Sequence, residues 1–361
     1  MRKKSNSLST NAVQKFKKSS SGLLSFAYIC ICGLIAIFCY VLSPDNSSNA
    51  NQMHLEIHSQ KPGYTMKMLE IPSKEKQSFL NFLLFGKTSA NIEIPISNHR
   101  VDENNLYVTE ISSQQEEELS FPLTDFEKPI GTYITTKTYY FGTDRYGRDL
   151  LSRILIGTRI SFFIGFIAVF ISLVLGISIG AIAGYFGGKI DTFIMWLINI
   201  TWSIPTLLLV IAITLALGKG FWQVFIAVGM TMWVEVARVV RGQILSSKKL
   251  QYVEAAKALG YSDFRIIFRH ILPNIMGPII VISAANFAGA ILIESGLSFL
   301  GIGAQPPTPS WGGIIKDHFN YIILGKPYLA IIPGIAIMSL VMSFMLIGNT
   351  LRDALDVKSK T

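Results

Sequence analysis

The chain has 361 residues, 50% of them hydrophobic and only 15% charged, with a mean hydropathy of +0.43 and a formal net charge of +9. Soluble domains carry about 25% charged residues, so this composition excludes an ordinary water-soluble domain and indicates a polytopic membrane protein. No basic patch is interleaved with aromatic residues, which argues against a nucleic-acid partner.

Residues 1–22 form a basic tail with Arg2, Lys3, Lys4, Lys15, Lys17 and Lys18 and no acidic residue. The bias of Lys and Arg toward the inner side of a membrane makes this tail cytoplasmic. Residues 23–42 form the first of six apolar runs long enough to span about 30 Å of hydrocarbon as a helix. That run lacks a small-residue cleavage pattern and exceeds the roughly 7 to 15 apolar residues of a signal peptide, so it reads as a retained anchor. Cys30, Cys32 and Cys39 all lie within it and read as small apolar fillers.

Residues 43–140 differ in composition, with 13 acidic against 8 basic residues between 43 and 142. By the parity of the spans this segment is extracytoplasmic. Alternation in MHLEI and NIEIPI predicts half-buried strands, and SFLNFLLFG predicts a short amphipathic or surface-lying helix; QQEEEL is an acidic run. His54 and His58 would pair as metal ligands only on a helix, which the alternation disfavours. A docking platform and an insertion without chemistry both remain open for this segment.

Residues 141–160 carry Arg145, Arg148, Arg153 and Arg159 on the outer side. An interfacial amphipathic segment accommodates them, with Leu150, Leu151, Ile154 and Leu155 turned toward lipid or protein and the guanidinium groups at lipid headgroups. Residues 161–350 hold the other five spans, at 161–185, 192–217, 222–240, 275–293 and 328–348. Gly176, Gly180 and Gly184 recur every four residues and predict close helix packing. Pro205 interrupts the third span and either bends it or widens a path, bending being the simpler reading.

Ionisable groups within spans are costly unless paired or hydrated. Glu235 stands three residues before Arg238, a spacing that permits an internal pair. Glu294 lies near the outer end of its span, either facing a cavity or at headgroup level. Asn199, Trp202, Asn286 and Glu294 are the candidate residues of a translocation path. The tail, residues 351–361, carries Arg352, Lys358 and Lys360 and is again cytoplasmic.

The loop at residues 242–273 is basic and lies inside by parity. Within it, Glu254 to Leu259 favours helix up to Gly260; Ser262 or Asp263 then caps a second helix, which Pro273 is expected to end. On that helix Phe264, Ile267, Phe268 and Ile271 form an apolar face, and Arg265 and Arg269 a basic one. Such a pair of short helices fits either a peg inserted into a soluble partner or an interfacial pair lying on anionic lipid. Glu254 is either part of that contact or a solvated acid.

The glutamate and alanines at 254–256, Gly260, Ile271, Leu272 and Pro273 resemble the EAA loop of ABC importer permeases, with His270 where the pattern has an apolar residue. FGTDRYGRDLLSR at 141–153, Gly242-Gln243, LSFLGIG at 297–303, QPPTPSWG at 305–312 and LRDALD at 351–356 extend the likeness to the second permease subunit of dipeptide, oligopeptide and nickel importers. The resemblance implies an all-α polytopic protein, with six transmembrane helices in the type I ABC importer permease fold and an added extracytoplasmic insertion of mixed or β character. It implies that Glu254, Ala255, Ala256, Gly260, Arg265, Arg269, Leu272 and Pro273 couple to ATPase subunits. The implied partners are a second homologous permease, two ABC ATPases, an extracytoplasmic substrate-binding protein and the lipid bilayer of a bacterial inner membrane. The cargo would be a di- or oligopeptide, with nickel or another small solute as the alternative.

No cofactor is expected on this chain. The sequence holds no G-x-x-x-x-G-K-[ST] loop; Gly188-Lys189 and Gly218-Lys219 have Ala183 and Ile213 where the first glycine belongs. ATP and magnesium would therefore be used by the partner ATPases. H-E-x-x-H, G-x-S-x-G and paired intramembrane aspartates are also absent, which disfavours an intramembrane enzyme. A non-transporting membrane scaffold would leave the peg unexplained.

Overall fold

The computed structural model describes residues 8–73, 77–89, 91–111, 117–218 and 220–355. Arg2, Lys3, Lys4, Lys219, Asp356, Lys358, Lys360 and the first half of QQEEEL lie outside the described residues. In chain order the elements are α1 (Leu8–Lys18), α2 (Ser20–Leu42), β1 (Tyr64–Ile71), α3 (Phe79–Phe85), β2 (Ile92–Val101), β3 (Asn105–Glu110), β4 (Glu117–Pro122) and β5 (Ile134–Tyr139). They continue with α4 (Leu150–Phe186), α5 (Gly188–Ser203), α6 (Thr206–Leu217), α7 (Phe221–Ser247), α8 (Gln251–Ala258), α9 (Asp263–Arg265), α10 (Met276–Phe299), α11 (Trp311–His318) and α12 (Tyr328–Leu355).

Among the described residues five helical stretches are long and apolar enough to cross a membrane, and α5 with α6 makes a sixth if the bent pair is one span. That pair departs from the expected bend at Pro205, because its two halves meet at 93°. The cause is local: proline has no N–H and disfavours helix in the residue before it. Ile204 is accordingly extended, at φ −89° and ψ 127°, between the end of α5 and the start of α6.

The chain divides into two compact units. One comprises the residues up to Gly33, Ser161–Gln305 and those from Ile337 onward. Within it α4 lies against α7 along the three glycines: a Cβ added at Gly176 would stand 2.4 Å from Val236 Cβ, at Gly180 2.4 Å from the Ala237 carbonyl oxygen, and at Gly184 2.9 Å from that of Arg241. Asp191 on α5 accepts two hydrogen bonds from Arg241 on α7, one of them 2.7 Å from Nη2. Phe287 of α10 stacks on Phe344 of α12, with centroids 3.8 Å apart, and meets Phe166 of α4 edge-on at 5.0 Å. The outward faces keep Phe170, Phe193, Trp196, Leu208 and Met338 exposed, as suits helices whose surroundings are as apolar as their cores.

The other unit comprises Leu34–Ile160 and Pro306–Ala336. Its sheet has the order β4-β3-β2-β1-β5, with antiparallel neighbours throughout. Leu69, Ile96, Leu106, Val108 and Tyr133 form one apolar cluster, and Ile57, Met66, Met68 and Tyr139 another. NIEIPI lies in β2 as its alternation predicts, and SFLNFLLFG contains α3. MHLEI is not a strand. It makes a 3-10 turn at Leu55–Ile57 because the preceding backbone is committed elsewhere, the His54 N–H donating to the Tyr146 carbonyl at 3.0 Å.

The arginines before the second span are likewise not an interfacial face. Arg148 and Arg153 are each only 4% exposed. Both meet the Asp144 carboxylate, Arg148 Nε at 2.7 Å and Arg153 Nε at 3.6 Å, while Arg145 pairs with Asp317 at 3.2 Å. Arg159 donates to the Leu83 carbonyl at 3.0 Å. Buried charges persist only when paired and hydrogen-bonded, and Asp144 supplies that pairing at the FGTDRYGRD turn. Gly147 in this turn has φ +75°, and an added Cβ would fall 1.7 Å from the His54 carbonyl oxygen. Asp149 immediately precedes α4, and its Oδ2 accepts from the Ser152 N–H at 2.8 Å, as an N-cap does.

Candidate functional site

The 242–273 loop folds as two short helical segments joined at Gly260. The Tyr261 N–H donates to the Ala256 carbonyl at 3.2 Å and the Gly260 N–H to the Lys257 carbonyl at 2.9 Å, the pair of bonds that ends a helix with a left-handed residue. Gly260 has φ +73°, and nothing lies within 4 Å of a Cβ placed there. Its need is conformational, not a close approach. Ser262 caps the next segment by accepting from the Arg265 N–H at 3.4 Å.

Pro273 does not end that segment. The chain stays helical from Asp263 through a π-helical stretch at Ile266–Ile271 and a 3-10 stretch at Leu272–Ile275 into α10. These wider and tighter turns let the chain continue past a residue that has no N–H to give an α-helical ladder.

The underside of the loop is anchored. Val253, Ala256, Ile266, Ile267, Ile271, Leu272 and Ile275 are buried in one cluster with Tyr185 of α4 and Val236, Val240 and Ile244 of α7. The Tyr185 hydroxyl donates to Asp263 Oδ1 at 2.6 Å, and Lys248 Nζ donates to the Tyr185 carbonyl. The expected apolar face thus divides: Ile267 and Ile271 point into the core, while Phe264 and Phe268 are 70% and 47% exposed and pack on each other at 4.3 Å. Leu259 is 71% exposed. Glu254, Ala255 and Arg269 are also exposed, and Arg265 lies over the Tyr261 ring at 4.2 Å. His270 also stacks on the Tyr261 ring, at 5.6 Å and 13° between planes.

A second constellation lies within the spans. A cavity of about 270 Å³ is bounded by Trp202 at the end of α5, Thr206 at the start of α6, Thr231 and Glu235 on α7, and Asn286 and Gly289 on α10. Trp202 and Asn286, both candidates from sequence, line it; Asn199 and Glu294 are not among its lining residues. Asn199 accepts from Arg238 Nη2 at 3.3 Å, and the Arg238 guanidinium lies 3.6 Å over the Trp202 ring. Glu294 is fully buried and accepts from Ser298 Oγ at 2.6 Å, and it does not line this cavity. The expected Glu235–Arg238 pair does not form, because the arginine is drawn to Trp202 and Asn199.

Sequence reasoning misses the Tyr185–Asp263 bond, since 78 residues separate the partners and the spacing of neither points to the other. It also misses Thr201, Thr206 and Thr231 at the cavity. Thr206 follows Pro205, and that adjacency to a helix break is the one signal that points to it.

Residues 176–360 match the family described as "Binding-protein-dependent transport system inner membrane component". The chain is 39% identical to a glutathione transport system permease protein of Pectobacterium atrosepticum over 63% of this chain and 75% of that protein. It is 42% identical to a dipeptide transport system permease protein of Alkalihalophilus pseudofirmus, over 62% of this chain and 73% of that one. An oligopeptide transport system permease protein of Haemophilus influenzae is also 42% identical, over 62% of this chain and 71% of its own. With a buried-base loop, a set of apolar spans and this match over half its length, the chain belongs to the family of binding-protein-dependent transport system inner membrane components.

Proposed function

We propose that this chain is one of two homologous membrane subunits of an ATP-driven importer, and that the cargo is a di- or oligopeptide. The names of the relatives support the peptide class. The observation that carries the coupling role is the division of the loop: a base sealed into the α4 and α7 core beneath a tip where Leu259, Phe264 and Phe268 are exposed. An exposed apolar tip on a fixed base suits insertion into a groove of a soluble ATPase. Glu254, Ala255, Arg265 and Arg269 flank the tip, Ala256 and Leu272 seal the base, and Gly260 with Pro273 shapes the path between.

In this reading ATP and magnesium belong to the two ATPase subunits, and no cofactor belongs to this chain. A substrate-binding protein delivers cargo from outside, both termini are cytoplasmic, and the sheet unit is extracytoplasmic. The path runs past Trp202 and Asn286, where the α5–α6 break leaves space between helices.

The test is ATP-dependent uptake by the complete complex reconstituted in vesicles. Uptake of labelled dialanine is the expected result. Uptake of nickel ions without dialanine would replace the peptide assignment by the metal one, and no ATP-dependent uptake with no associated ATPase would leave a membrane scaffold.

A further inference from the structure

The cavity beside the helix break holds a carboxylate that the transport fold does not need for its own packing. Glu235 sits in the middle of α7, a segment apolar enough to cross a membrane, and lines the cavity. Among the described residues no ion pair or hydrogen bond reaches it. The nearest cation in sequence, Arg238, is occupied with Trp202 and Asn199. An intramembrane carboxylate without a built-in partner marks a place where a cationic group is received.

A second observation points the same way. Asn286 is 1% exposed, lines the same cavity, and its Nδ2 amide group has no hydrogen-bond partner. Buried donors are almost always satisfied, so one left without a partner in a residue of the cavity wall calls for an acceptor from a ligand or an ordered water. The rest of the lining is apolar or hydroxylic, from residues such as Leu209, Met232 and Thr231. One carboxylate with no histidine or cysteine is a poor donor set for a transition metal. About 270 Å³ is also far more than a bare ion needs.

A positive group next to a carbonyl acceptor is the feature common to every peptide with a free amino terminus. We propose that Glu235 receives the protonated α-amino group of the peptide in transit and that the Asn286 amide N–H donates to its first peptide carbonyl. This rests on the peptide-importer reading. Both contacts are to groups that every unblocked peptide carries, so the site selects for a free amino terminus and not for side chains. The Trp202 ring, with the Arg238 guanidinium 3.6 Å over it, lines the site.

Two measurements test the site. In the purified complex without its binding protein, carbodiimide modification of Glu235 is followed by mass spectrometry with dialanine or N-acetyl-dialanine present. Dialanine at ten times its dissociation constant should slow modification about tenfold, and the acetylated peptide should not. In vesicles, Glu235→Gln should lower the maximal rate of dialanine uptake about tenfold or more. The half-saturating concentration, set by capture on the binding protein, should stay the same, as should ATPase association, and Glu235→Asp should recover most of the rate.

Equal protection by both peptides, no protection by either, or a Glu235→Gln complex that transports at the wild-type rate would overturn the proposal. Wild-type complexes that import no dialanine defeat the peptide reading and this site with it. Wild-type import that Glu235→Gln leaves unchanged defeats the site alone.

Discussion

The Tyr185 hydroxyl donates to Asp263 Oδ1 at 2.6 Å, tying the C-terminal end of α4 to the first turn of the loop's second helical segment. A hydrogen bond to a charged acceptor is worth about 1.5 to 3 kcal/mol. Tyr185→Phe keeps the ring that packs in the core and removes only the hydroxyl. Backbone amides at 261–266 should then exchange hydrogen about tenfold faster, and transport per ATP hydrolysed should fall while ATPase binding is retained. Unchanged exchange would show that the apolar base alone fixes the loop.

Gly260 separates conformational from steric need. With φ +73° and open space around its Cα, Gly260→Ala should cost about 1 to 2 kcal/mol through backbone strain alone. Gly260→Asn should cost less, because asparagine tolerates the left-handed region. Thermal unfolding of the detergent-solubilised chain checks the order.

At Gly180 the need is the opposite. A Cβ there meets the Ala237 backbone at 2.4 Å, and backbone does not move aside as a flexible side chain would. Gly180→Ala should cost about 1 to 3 kcal/mol, and Gly180→Leu should prevent α4 and α7 from packing, seen as lost yield of folded protein. Gly242, which has nothing within 4 Å, serves as the control.

The sheet unit should weaken in mild acid. Burial pushes the His318 imidazole below its ordinary value, an effect only partly offset by its bond to the Ile314 carbonyl. Its Nε2 accepts from the Arg145 N–H at 3.2 Å, which a doubly protonated ring could not do. The unfolded chain binds a proton near pH 6.5 where the folded one does not, so the contribution of this residue is full above that value. It declines as pH falls toward the lowered folded value. Glu93 is pushed up by burial but held lower on balance by His54 and Lys137, so its own contribution is lost only as pH falls through the ordinary carboxylate value toward the lowered one, below the range in which His318 acts. Melting at pH 7.5 and 5.5 should therefore show a drop in wild type that His318→Gln reduces.

What could be read from sequence follows from what each signal measures. Apolar run length located α2, α4, α7, α10 and α12 to within about a dozen residues, because hydrocarbon thickness fixes helix length regardless of partners. The glycine spacing pointed to the α4 face that packs on α7. Periodicity failed where burial depends on distant groups. Phe264 and Ile267 look alike in the sequence, yet one is exposed and the other sealed under Tyr185 and Val236. Arg148 and Arg153 read as surface charge until Asp144 is seen between them. MHLEI alternates as a strand does, but the FGTDRYGRD turn occupies the backbone groups a sheet would need.

The coupling role is tested most directly by co-purifying the ATPase with the tagged chain, comparing wild type with Phe264→Ser/Phe268→Ser. Both side chains are exposed, so the variant should melt at the wild-type temperature while its ATPase association falls about a hundredfold, as expected for loss of two aromatic anchors worth about 2.7 kcal/mol together. An ATPase that binds the variant as tightly as wild type would contradict the account and return the loop to the lipid surface.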